Sequence, residues 1–503
     1  MKRAQRRRPN ILWLMCDELR PDGVGCYGNK WGVVDTPNLD ALAETGTRFD
    51  RFFVNSPICV SSRMAYLTGR RPAVTGGYGN EASYRWFPPE TYAPRQPELP
   101  KTFVQMMTDA GYVTHNLGKQ HLARLLEPFE MSDTTNADQW RLMQMVSQIG
   151  RDVQRNAVGS AIGGVWPEGH DYPHDALAAQ AAAWIAEAPR DNPWLLRVSF
   201  LQPHTPVVVP EPFASRFVDQ DWIGSENVES SVSDFERNFG DVTRPIDVDD
   251  EWVSLARARY YGLAAWLDFQ IGRVLAALEQ SGQRDSTVVV FCSDHGAGLG
   301  EMGNWAKHVF APQVQGSPLI VAGAGIDQGV LRNDLCEAVD FAPTILALAG
   351  VEPTGALDGR DLLASSRGGA VYGAIGYGLQ ECLAQPMTRN GTWPDGRGWP
   401  QRFCVRDDRY RLDRSTRIDG DVISPGSADA DVFLADSQAD PAEICNLADD
   451  PAHREARDRL LSLLESHIAD AAAPELADFY QAWPSIVEEM IAERMEPDGQ
   501  SAK

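Results

Sequence analysis

The sequence predicts an α/β fold: a large mixed, mostly parallel sheet sandwiched by helices, with a smaller C-terminal α+β domain built on an antiparallel sheet. Over most of the chain, short and wholly apolar runs alternate with helical patterns, which is typical of a parallel sheet covered on both faces. After about residue 365 the runs are separated by Gly, Pro and Asp turns, which indicates antiparallel strands. We therefore predict two domains, residues 1–365 and 366–503, because 503 residues exceed what one core usually supports.

The predicted strands of the large sheet are the mainly apolar runs Asn10–Cys16, Leu195–Leu201, Thr287–Cys292 and Pro318–Ala322, together with Tyr112–Leu117. The predicted helices run from Pro37 to about Gly46 with Thr36 as the cap, and over Ala176–Ala188, Trp252–Gln280 and Phe341–Ala349. The C-terminal domain is predicted to contain strands at Val371–Leu379, Phe403–Leu412 and Val432–Ala435, and helices at about 452–469 and 475–495.

The charge balance limits the partners of the chain. The formal net charge is −24 and the pI is about 4.8, so the surface repels nucleic acid and anionic lipid, and neither is an expected partner. The apolar run Ile11–Cys16 is too short for a signal peptide, and no segment approaches the length of a membrane span. We therefore expect a cytoplasmic protein. The sequence leaves open whether its last helix covers its own domain or a second copy in a homo-oligomer.

Polar residues follow the carboxyl ends of four predicted strands. They are Asp17-Glu18, Gly118-Lys119-Gln120-His121, Pro203-His204 and Ser293-Asp294-His295-Gly296. Taken singly, each is more often a turn, a helix cap or a solvated side chain. Ligands of open α/β sheets bind beyond the carboxyl ends of the strands, however, and all four segments fall on one such edge. Their carboxylates suit a hard cation, and their lysine and histidines suit an anion.

Cys59 differs in its surroundings from the other cysteines. The eight cysteines show no CxxC spacing, which argues against a zinc knot, and Cys16 and Cys292 fall in strand-like runs as core residues. Cys59 instead precedes a run with helical periodicity, at a helix N-terminus where the dipole and free N–H groups stabilise negative charge. Arg63, one turn on, falls on the same side and can fix Cys59 or a bound oxyanion. A buried cysteine beside a structural arginine accounts for the same residues when they are taken alone.

These residues resemble a known family. Cys59-Val60-Ser61-Ser62-Arg63, followed by Leu67-Thr68-Gly69-Arg70, is similar to the type I sulfatase signature C-x-P-S-R…LTGR. Other segments resemble the family in order over roughly residues 9 to 450: Pro9-Asn10-Ile11, Thr36-Pro37-Asn38-Leu39-Asp40, Gly118-Lys119-Gln120-His121, Asp294-His295-Gly296, Lys307 and Asp440-Pro441-x-Glu443-x-x-Asn446-Leu447. The resemblance implies an alkaline-phosphatase-like fold and a catalytic sulfatase-like domain over residues 1–365.

The resemblance also implies an activity, the metal-dependent hydrolysis of a small anionic sulfate ester. Asp17, Glu18, Asp294 and His295 would hold one divalent cation; three carboxylates and an imidazole suit Ca²⁺ or Mn²⁺. Cys59, oxidised to formylglycine, would be the nucleophile. The remaining site residues are implied to move protons or to hold charge: His121 as base, His204 as acid with Lys307 beside it, and Arg63 and Lys119 on residue 59 and the anion.

Departures from the family pattern keep alternatives open. Ser61 stands where the family usually has Pro, in the part of the motif that the cysteine-modifying enzyme reads, so conversion of Cys59 is an open question. One alternative is a phosphodiester or phosphonate monoester hydrolase on the same fold, with Cys59 attacking unmodified. Lys119 and His121 favour the sulfate ester, since such relatives typically lack both. A non-catalytic anion-binding relative is the third alternative, and it predicts binding without turnover.

Overall fold

The computed structural model describes residues 8–29, 31–32, 34–75, 77, 80, 100–122, 128–133, 154–155, 161–222, 249–305, 307–364, 369–375, 401–419, 422–425 and 432–471. Over these residues the predicted fold class is confirmed, because a large mixed sheet lies between helices and a smaller antiparallel sheet follows it. The helix predicted at 475–495 lies outside the described residues. The division at residue 365 stays a prediction.

The strands, in chain order, are β1 (Asn10–Asp17), β2 (Gly46–Phe49), β3 (Phe52–Phe53), β4 (Val113–Gly118), β5 (Met131–Ser132), β6 (Gln154–Arg155), β7 (Ala161–Ile162), β8 (Gly164–Val165), β9 (Trp194–Pro203), β10 (Val208–Val209), β11 (Thr287–Ser293), β12 (Leu319–Gly323), β13 (Val330–Arg332), β14 (Cys336–Glu337), β15 (Val371–Ile375), β16 (Gln401–Arg406), β17 (Tyr410–Asp419), β18 (Val422–Pro425) and β19 (Val432–Asp436). The α-helices are α1 (Pro37–Glu44), α2 (Cys59–Thr68), α3 (Pro72–Thr75), α4 (Phe103–Asp109), α5 (Ala176–Glu187), α6 (Asp250–Gln280), α7 (Pro312–Gln315), α8 (Phe341–Ala349) and α9 (Arg454–Ala471). Among the described residues, none of these helices combines the length and the apolar character that crossing a bilayer requires.

The large sheet has the strand order β13-β2-β12-β11-β1-β9-β4-β5. Strand β1 lies near its centre and runs parallel to β11 and to β9, and β9 runs parallel to β4. Strand β12 runs antiparallel to both of its neighbours, β11 and β2, which makes the sheet mixed. Because β11, β1, β9 and β4 are adjacent and parallel, the residues that follow their carboxyl ends emerge side by side.

Helices cover both faces of this sheet, which explains why β1 is buried along its whole length. Leu12 and Leu14 lie in a core with residues of α1, α5 and α6. Ile11 and Trp13, which alternate with them, lie in a second core with residues of α2, α4 and α8. An apolar run without polar alternation is therefore the pattern expected of a central strand in a three-layer arrangement.

The start of α1 differs from the prediction. Pro37 is the first helical residue, but the Thr36 side chain makes no capping hydrogen bond and instead accepts one from Gly25 N at 2.7 Å. The amides of the first turn are bound by Asp268 of α6, whose carboxylate accepts hydrogen bonds from Leu39 N at 2.9 Å and Asn38 N at 3.3 Å. The cap comes from a distant helix, so the local sequence could not reveal it.

The smaller sheet lies at the C-terminal end of the chain. Strand β16 pairs antiparallel with β15 and β17, and β17 also pairs antiparallel with β18 and β19. The single strand predicted over Phe403–Leu412 is wrong, because the segment is a hairpin that turns at residues 407–409. Helix α9 confirms the helix predicted at about 452–469, and its contacts with β16, β17 and β18 bury Leu460, Leu464 and Ile468 along one face.

Replacing Asp268 by alanine tests the remote cap. The change leaves the amides of Asn38 and Leu39 without their acceptor in a buried position, so we expect the free energy of unfolding to fall by about 2 kcal/mol. Urea denaturation followed by circular dichroism measures it. Glu279→Ala, at an exposed acidic position of the same helix, is the control and should change stability by less than about 0.5 kcal/mol. Equal losses in the two variants would contradict the cap.

Candidate active site

The adjacent parallel strands bring the predicted polar segments to one edge of the sheet. Asp17 ends β1, His204 follows β9, Lys119 follows β4, and Asp294 with His295 follows β11. These residues are separated by up to 278 positions in the sequence, yet Asp17 lies in contact with partners from the other strands, including Lys119 Nζ at 2.5 Å. The carboxyl edge is therefore where the chain concentrates its buried charge, as the strand order requires.

Cys59 is the first residue of α2 and is fully buried. Its sulfur has two cationic neighbours and one carboxylate: Lys307 Nζ lies at 2.9 Å, His295 Nε2 at 3.3 Å and Asp17 Oδ1 at 3.6 Å. The helix begins here because Ile58 is extended and Val60 N, an amide that lacks an intrahelical partner, donates to Asn80 Oδ1 at 3.2 Å. The prediction of a cysteine at a helix N-terminus is confirmed.

The surroundings of Cys59 favour its thiolate form. Burial alone would raise the pKa of the thiol, but Lys119, Lys307 and His295 together hold the pKa well below its usual value. The helix N-terminus acts in the same direction. These contacts therefore stabilise negative charge on residue 59.

Arg63 holds two buried carboxylates with separate nitrogens. Its Nε donates to Asp294 Oδ2 at 2.8 Å and its Nη2 donates to Asp17 Oδ2 at 2.9 Å, and all three side chains are inaccessible to solvent. Its Nη1 donates to Ser199 Oγ at 3.0 Å. The resemblance implies that Arg63 contacts residue 59 or the anion. In the structure its guanidinium donates hydrogen bonds to the two carboxylates instead.

The pKa values of the two carboxyls move in opposite directions. Burial, followed by the charge of Asp17, raises the pKa of Asp294 to about 7. Burial and the Cys59 thiolate would also raise the pKa of Asp17, but Lys119, His204 and Arg63 hold it below its ordinary value. Two carboxylates forced together at a buried position repel each other, so a bound cation would relieve that repulsion.

The donor atoms fit a divalent cation. One oxygen of Asp17, one of Asp294, a ring nitrogen of His295 and Cys59 Sγ all lie within 4.8 Å of one another. His295 Nδ1 lies 2.7 Å from Gly296 O, which orients the ring so that Nε2 faces Cys59 and the carboxylates. Two carboxylates and an imidazole are ligands that Ca²⁺, Mg²⁺ and Mn²⁺ accept, and the neighbouring nucleophile position would lie beside the ion.

Glu18 lies apart from that donor set. Its carboxylate groups with Asp17, Cys59 and His204 instead, and it forms an ion pair with Lys307 Nζ. His204 Nε2 lies 3.4 Å from Glu18 Oε1 and 3.3 Å from Lys307 Nζ. The four predicted metal ligands thus fall into two overlapping groups that share Asp17, with Glu18 on the side of His204.

His121 and Lys119 complete the surroundings of Cys59. Burial and the charge of Lys119 lower the pKa of His121 to about 4, so its imidazole is neutral near pH 7. A hydrogen bond between His121 and Cys59 contributes to the lowered pKa of the thiol. All ten predicted site residues therefore lie around one buried position at the carboxyl edge of the sheet.

Several supporting residues were missed by the sequence reasoning. Ser62 Oγ donates to Asp294 O at 2.5 Å, and Tyr260 OH donates to Glu18 O at 2.5 Å. Ser199 and Arg197 interrupt the apolar run of β9, and this interruption is the signal that could have revealed them, because a buried strand has no other need for polar side chains. Ser62 belongs to the signature Cys59-Val60-Ser61-Ser62-Arg63, which is the signal that could have revealed it, whereas Tyr260 sits in a long helix and carries none.

Comparisons with known proteins identify the family of the chain. Residues 9–351 match a family model described as Sulfatase. A choline-sulfatase of Rhizobium meliloti is 30% identical over 367 residues, which cover 68% of this chain and 68% of that protein. An arylsulfatase of Clostridium perfringens is 24% identical over 495 residues, which cover 91% of this chain and 94% of that protein.

Solved structures share the fold. A phosphonate monoester hydrolase of Agrobacterium radiobacter superposes with a TM-score of 0.71 at 23% identity, covering 92% of this chain and 96% of that one. A protein solved in complex with its substrate D-glucosamine-2-N,6-O-disulfate superposes with a TM-score of 0.68 at 20% identity, covering 94% and 99% of the two chains. At these identities the likeness concerns the fold alone.

The donor set predicts stabilisation by a divalent cation. A cation at about a hundred times its Kd stabilises the folded state by about 2.7 kcal/mol, so Ca²⁺ or Mn²⁺ added after EDTA treatment should raise the unfolding temperature. Asp294→Asn removes a ligand charge and should abolish that rise. Differential scanning fluorimetry measures both.

Asp436→Asn is the matched control, because Asp436 is a buried carboxylate in the C-terminal sheet, paired with Arg409. Its unfolding temperature should still rise with the cation. A rise of the same size in Asp294→Asn would show that the cation binds elsewhere.

Proposed function

The chain belongs to the sulfatase family and is a sulfuric ester hydrolase, and from this premise we propose that it cleaves a small anionic sulfate ester with residue 59 as nucleophile. The observation that carries the proposal is the environment of Cys59. Its sulfur lies 2.9 Å from Lys307 Nζ and 3.3 Å from His295 Nε2, beside the candidate cation site. These positive groups favour both an anionic nucleophile and an anionic ester held next to it.

Asp17, Asp294 and His295 would hold the cation, with Glu18 on the side that faces His204. A divalent ion bound there would supply Lewis-acid polarisation of the ester oxygens. Ca²⁺ and Mn²⁺ are the proposed ions, since the set combines carboxylate oxygens with one imidazole. Arg63 keeps two of the carboxylates in place through separate hydrogen bonds.

In the transfer step one bond forms, one bond breaks and one proton is transferred. The nucleophile on residue 59 forms a bond to sulfur while the bond from sulfur to the leaving oxygen breaks. His204 donates a proton to that oxygen, with Lys307 Nζ 3.3 Å away from its Nε2. The His204 side chain is 12% exposed whereas Asp17 is fully buried, so the leaving group departs on the solvent side.

Release of the anion from residue 59 requires a base. In the formylglycine form, loss of a proton from the remaining hydroxyl of the hydrate re-forms the aldehyde while the bond from its carbon to the sulfate oxygen breaks. In the unmodified form, loss of a proton from a water molecule lets the water oxygen form a bond to the central atom while the bond from that atom to Cys59 Sγ breaks. The pKa of His121 is lowered to about 4, chiefly by burial, so its ring is neutral at pH 7 and can act as a general base that takes up this proton during the reaction. His121 is hydrogen-bonded to Cys59, which places it beside the atoms of residue 59 that react. Lys119, whose Nζ lies 2.5 Å from Asp17 Oδ2, balances the charge of the sulfate that leaves.

Residue 59 could act in either of two forms. Oxidation of Cys59 to formylglycine would replace the sulfur by an oxygen nucleophile, as the resemblance implies. Unmodified Cys59 is the alternative, and the pKa of its thiol, held well below the usual value by Lys119 and Lys307, favours a thiolate that attacks directly. That form suits the second candidate function, hydrolysis of a phosphodiester or phosphonate monoester, which the phosphonate monoester hydrolase fold accommodates.

Two measurements separate these forms and substrates. Mass spectrometry of the peptide that contains Cys59 distinguishes the thiol from the aldehyde. Assays on para-nitrophenyl sulfate, choline sulfate and bis(para-nitrophenyl) phosphate should show the fastest turnover on a sulfate ester. We expect Cys59→Ala to lower that turnover by about a thousandfold or more. Metal and anion binding without turnover of any ester would instead identify a non-catalytic relative.

The acid role of His204 predicts a dependence on the leaving group. His204→Gln should lower kcat by about a hundredfold for an aryl sulfate with a basic leaving group and much less for para-nitrophenyl sulfate, whose leaving oxygen needs little protonation. Steady-state kinetics over a series of aryl sulfates gives the slope. His174→Gln, at a buried histidine outside the site, should leave the slope unchanged. A uniform loss across the series in His204→Gln would exclude the acid role.

A further inference from the structure

The C-terminal sheet contacts two segments beside the Cys59 sulfur, the one that precedes Cys59 and the one that carries Lys307. One segment is residues 55–58, which lead into α2, and the other is residues 307–311, which begin with Lys307. The two segments are joined to each other, because His308 N donates to Pro57 O at 3.3 Å. A displacement of either segment would therefore change the distance between Lys307 Nζ and Cys59 Sγ.

The segment before Cys59 is bound by strand β15. Ala374 N donates to Asn55 O at 2.8 Å, and Asn55 Nδ2 donates to Tyr372 O at 2.9 Å. Asn55 is fully buried, and its side chain also reaches Glu337 Oε2 at 2.8 Å, so its position is determined on several sides. The backbone that leads into α2 is thus hydrogen-bonded to β15, the edge strand of the C-terminal sheet.

The Lys307 segment is bound by Arg406 of β16. Arg406 Nη2 donates to Phe310 O at 3.1 Å, and the guanidinium carbon lies 4.3 Å from the centre of the Phe53 ring. Arg406 is itself held by Glu443, whose Oε2 accepts from Arg406 Nη2 at 3.1 Å and lies 3.2 Å from Arg411 Nε. Arg406 and Glu443 are almost fully buried, so this ion pair is not screened by water.

Apolar side chains fill the space between the two segments. Ile58 and Phe310 share a buried cluster with Ile375 of β15 and Cys404 of β16. Strand β15 approaches this cluster so closely that a Cβ at Gly373 would lie 2.6 Å from Phe310 Cε1. Close packing of this kind transmits a shift of one member to the others.

We propose that Glu443 and Arg406 are positioning residues: through Phe310 they hold Lys307 against Cys59, and so the C-terminal sheet completes the active site. This inference rests on the proposed function for the roles of Lys307 and Cys59. The proposal assigns a role to Glu443, which the sequence showed only as part of the segment Asp440-Pro441-x-Glu443-x-x-Asn446-Leu447. Asp440 and Asn446 shape that segment, because Asp440 Oδ2 accepts from Ile444 N at 2.7 Å and Asn446 Oδ1 accepts from Leu434 N at 3.0 Å.

A double-mutant cycle tests the proposal. Glu443→Gln keeps the side-chain volume but removes the charge that holds Arg406, and we expect kcat on an aryl sulfate to fall about tenfold with KM nearly unchanged. In a Lys307→Ala background the same change should have little effect, because the group it positions is gone. Equal losses in both backgrounds would show a general structural role and overturn the proposal.

The matched control is Glu465→Gln, which breaks the pair between Glu465 of α9 and Arg414 of β17, an Arg–Glu pair of the same sheet with 49% exposure of the glutamate. Its kcat should equal that of the wild type. Gly373→Ala places a methyl group against the Phe310 ring and should displace the Lys307 segment without a change in charge. It should therefore also lower kcat in the wild-type background but not in the Lys307→Ala background. Circular dichroism establishes that each variant is folded at the assay temperature.

A crystal structure of Glu443→Gln decides the inference independently of turnover. We expect Lys307 Nζ to move out of hydrogen-bond reach of Cys59 Sγ, and an unmoved Lys307 would overturn the proposal. If the wild type hydrolyses none of the esters, the proposed function fails while this distance still tests the positioning by the C-terminal sheet.

Discussion

The structure of the site depends on one constraint, which is that two carboxylates and a thiol are buried together and need positive charge between them. Asp17, Asp294 and Cys59 are all inaccessible to solvent, and an unpaired buried charge costs several kcal/mol. Arg63 meets that need for both carboxylates, because its planar guanidinium donates to each through a different nitrogen. One oxygen of each carboxylate lies in the candidate cation site, where a bound cation would relieve their remaining repulsion.

The parallel sheet makes this concentration of charge possible. Strands β11, β1, β9 and β4 lie side by side, so each contributes its charged residues at the same edge without any long loop having to cross the core. The long buried strands supply rigidity, and polar residues inside them, such as Ser199, hold the charged groups from behind. Chemistry that requires close placement of opposite charges is thereby built on the most rigid part of the molecule.

The second sheet has a different relation to the site. It contributes none of the ten candidate site residues, yet its strand β15 binds the backbone that precedes Cys59, and Arg406 of β16 binds the backbone that follows Lys307. A sulfatase-like site of this kind is thus framed by two sheets, one that supplies charged groups and one that supports the segments between them. The similarity to the arylsulfatase of Clostridium perfringens covers 91% of the chain and so includes the C-terminal part.

The sequence by itself determined the fold class, five of the eight strands in the described large sheet and the set of residues that meet at its edge, because these follow from local apolar patterns, from strand-end positions and from the signature around Cys59. It missed the short strands β2, β5 and β13. It did not determine which charges pair. Arg63 binds Asp294, 231 positions away, Glu18 turns toward Lys307 rather than toward Asp294, and Asp268 caps a helix 230 positions before it. Only the tertiary structure decided these contacts, because a salt bridge or a cap depends on side-chain geometry in three dimensions, and several partners of suitable charge were present for each group.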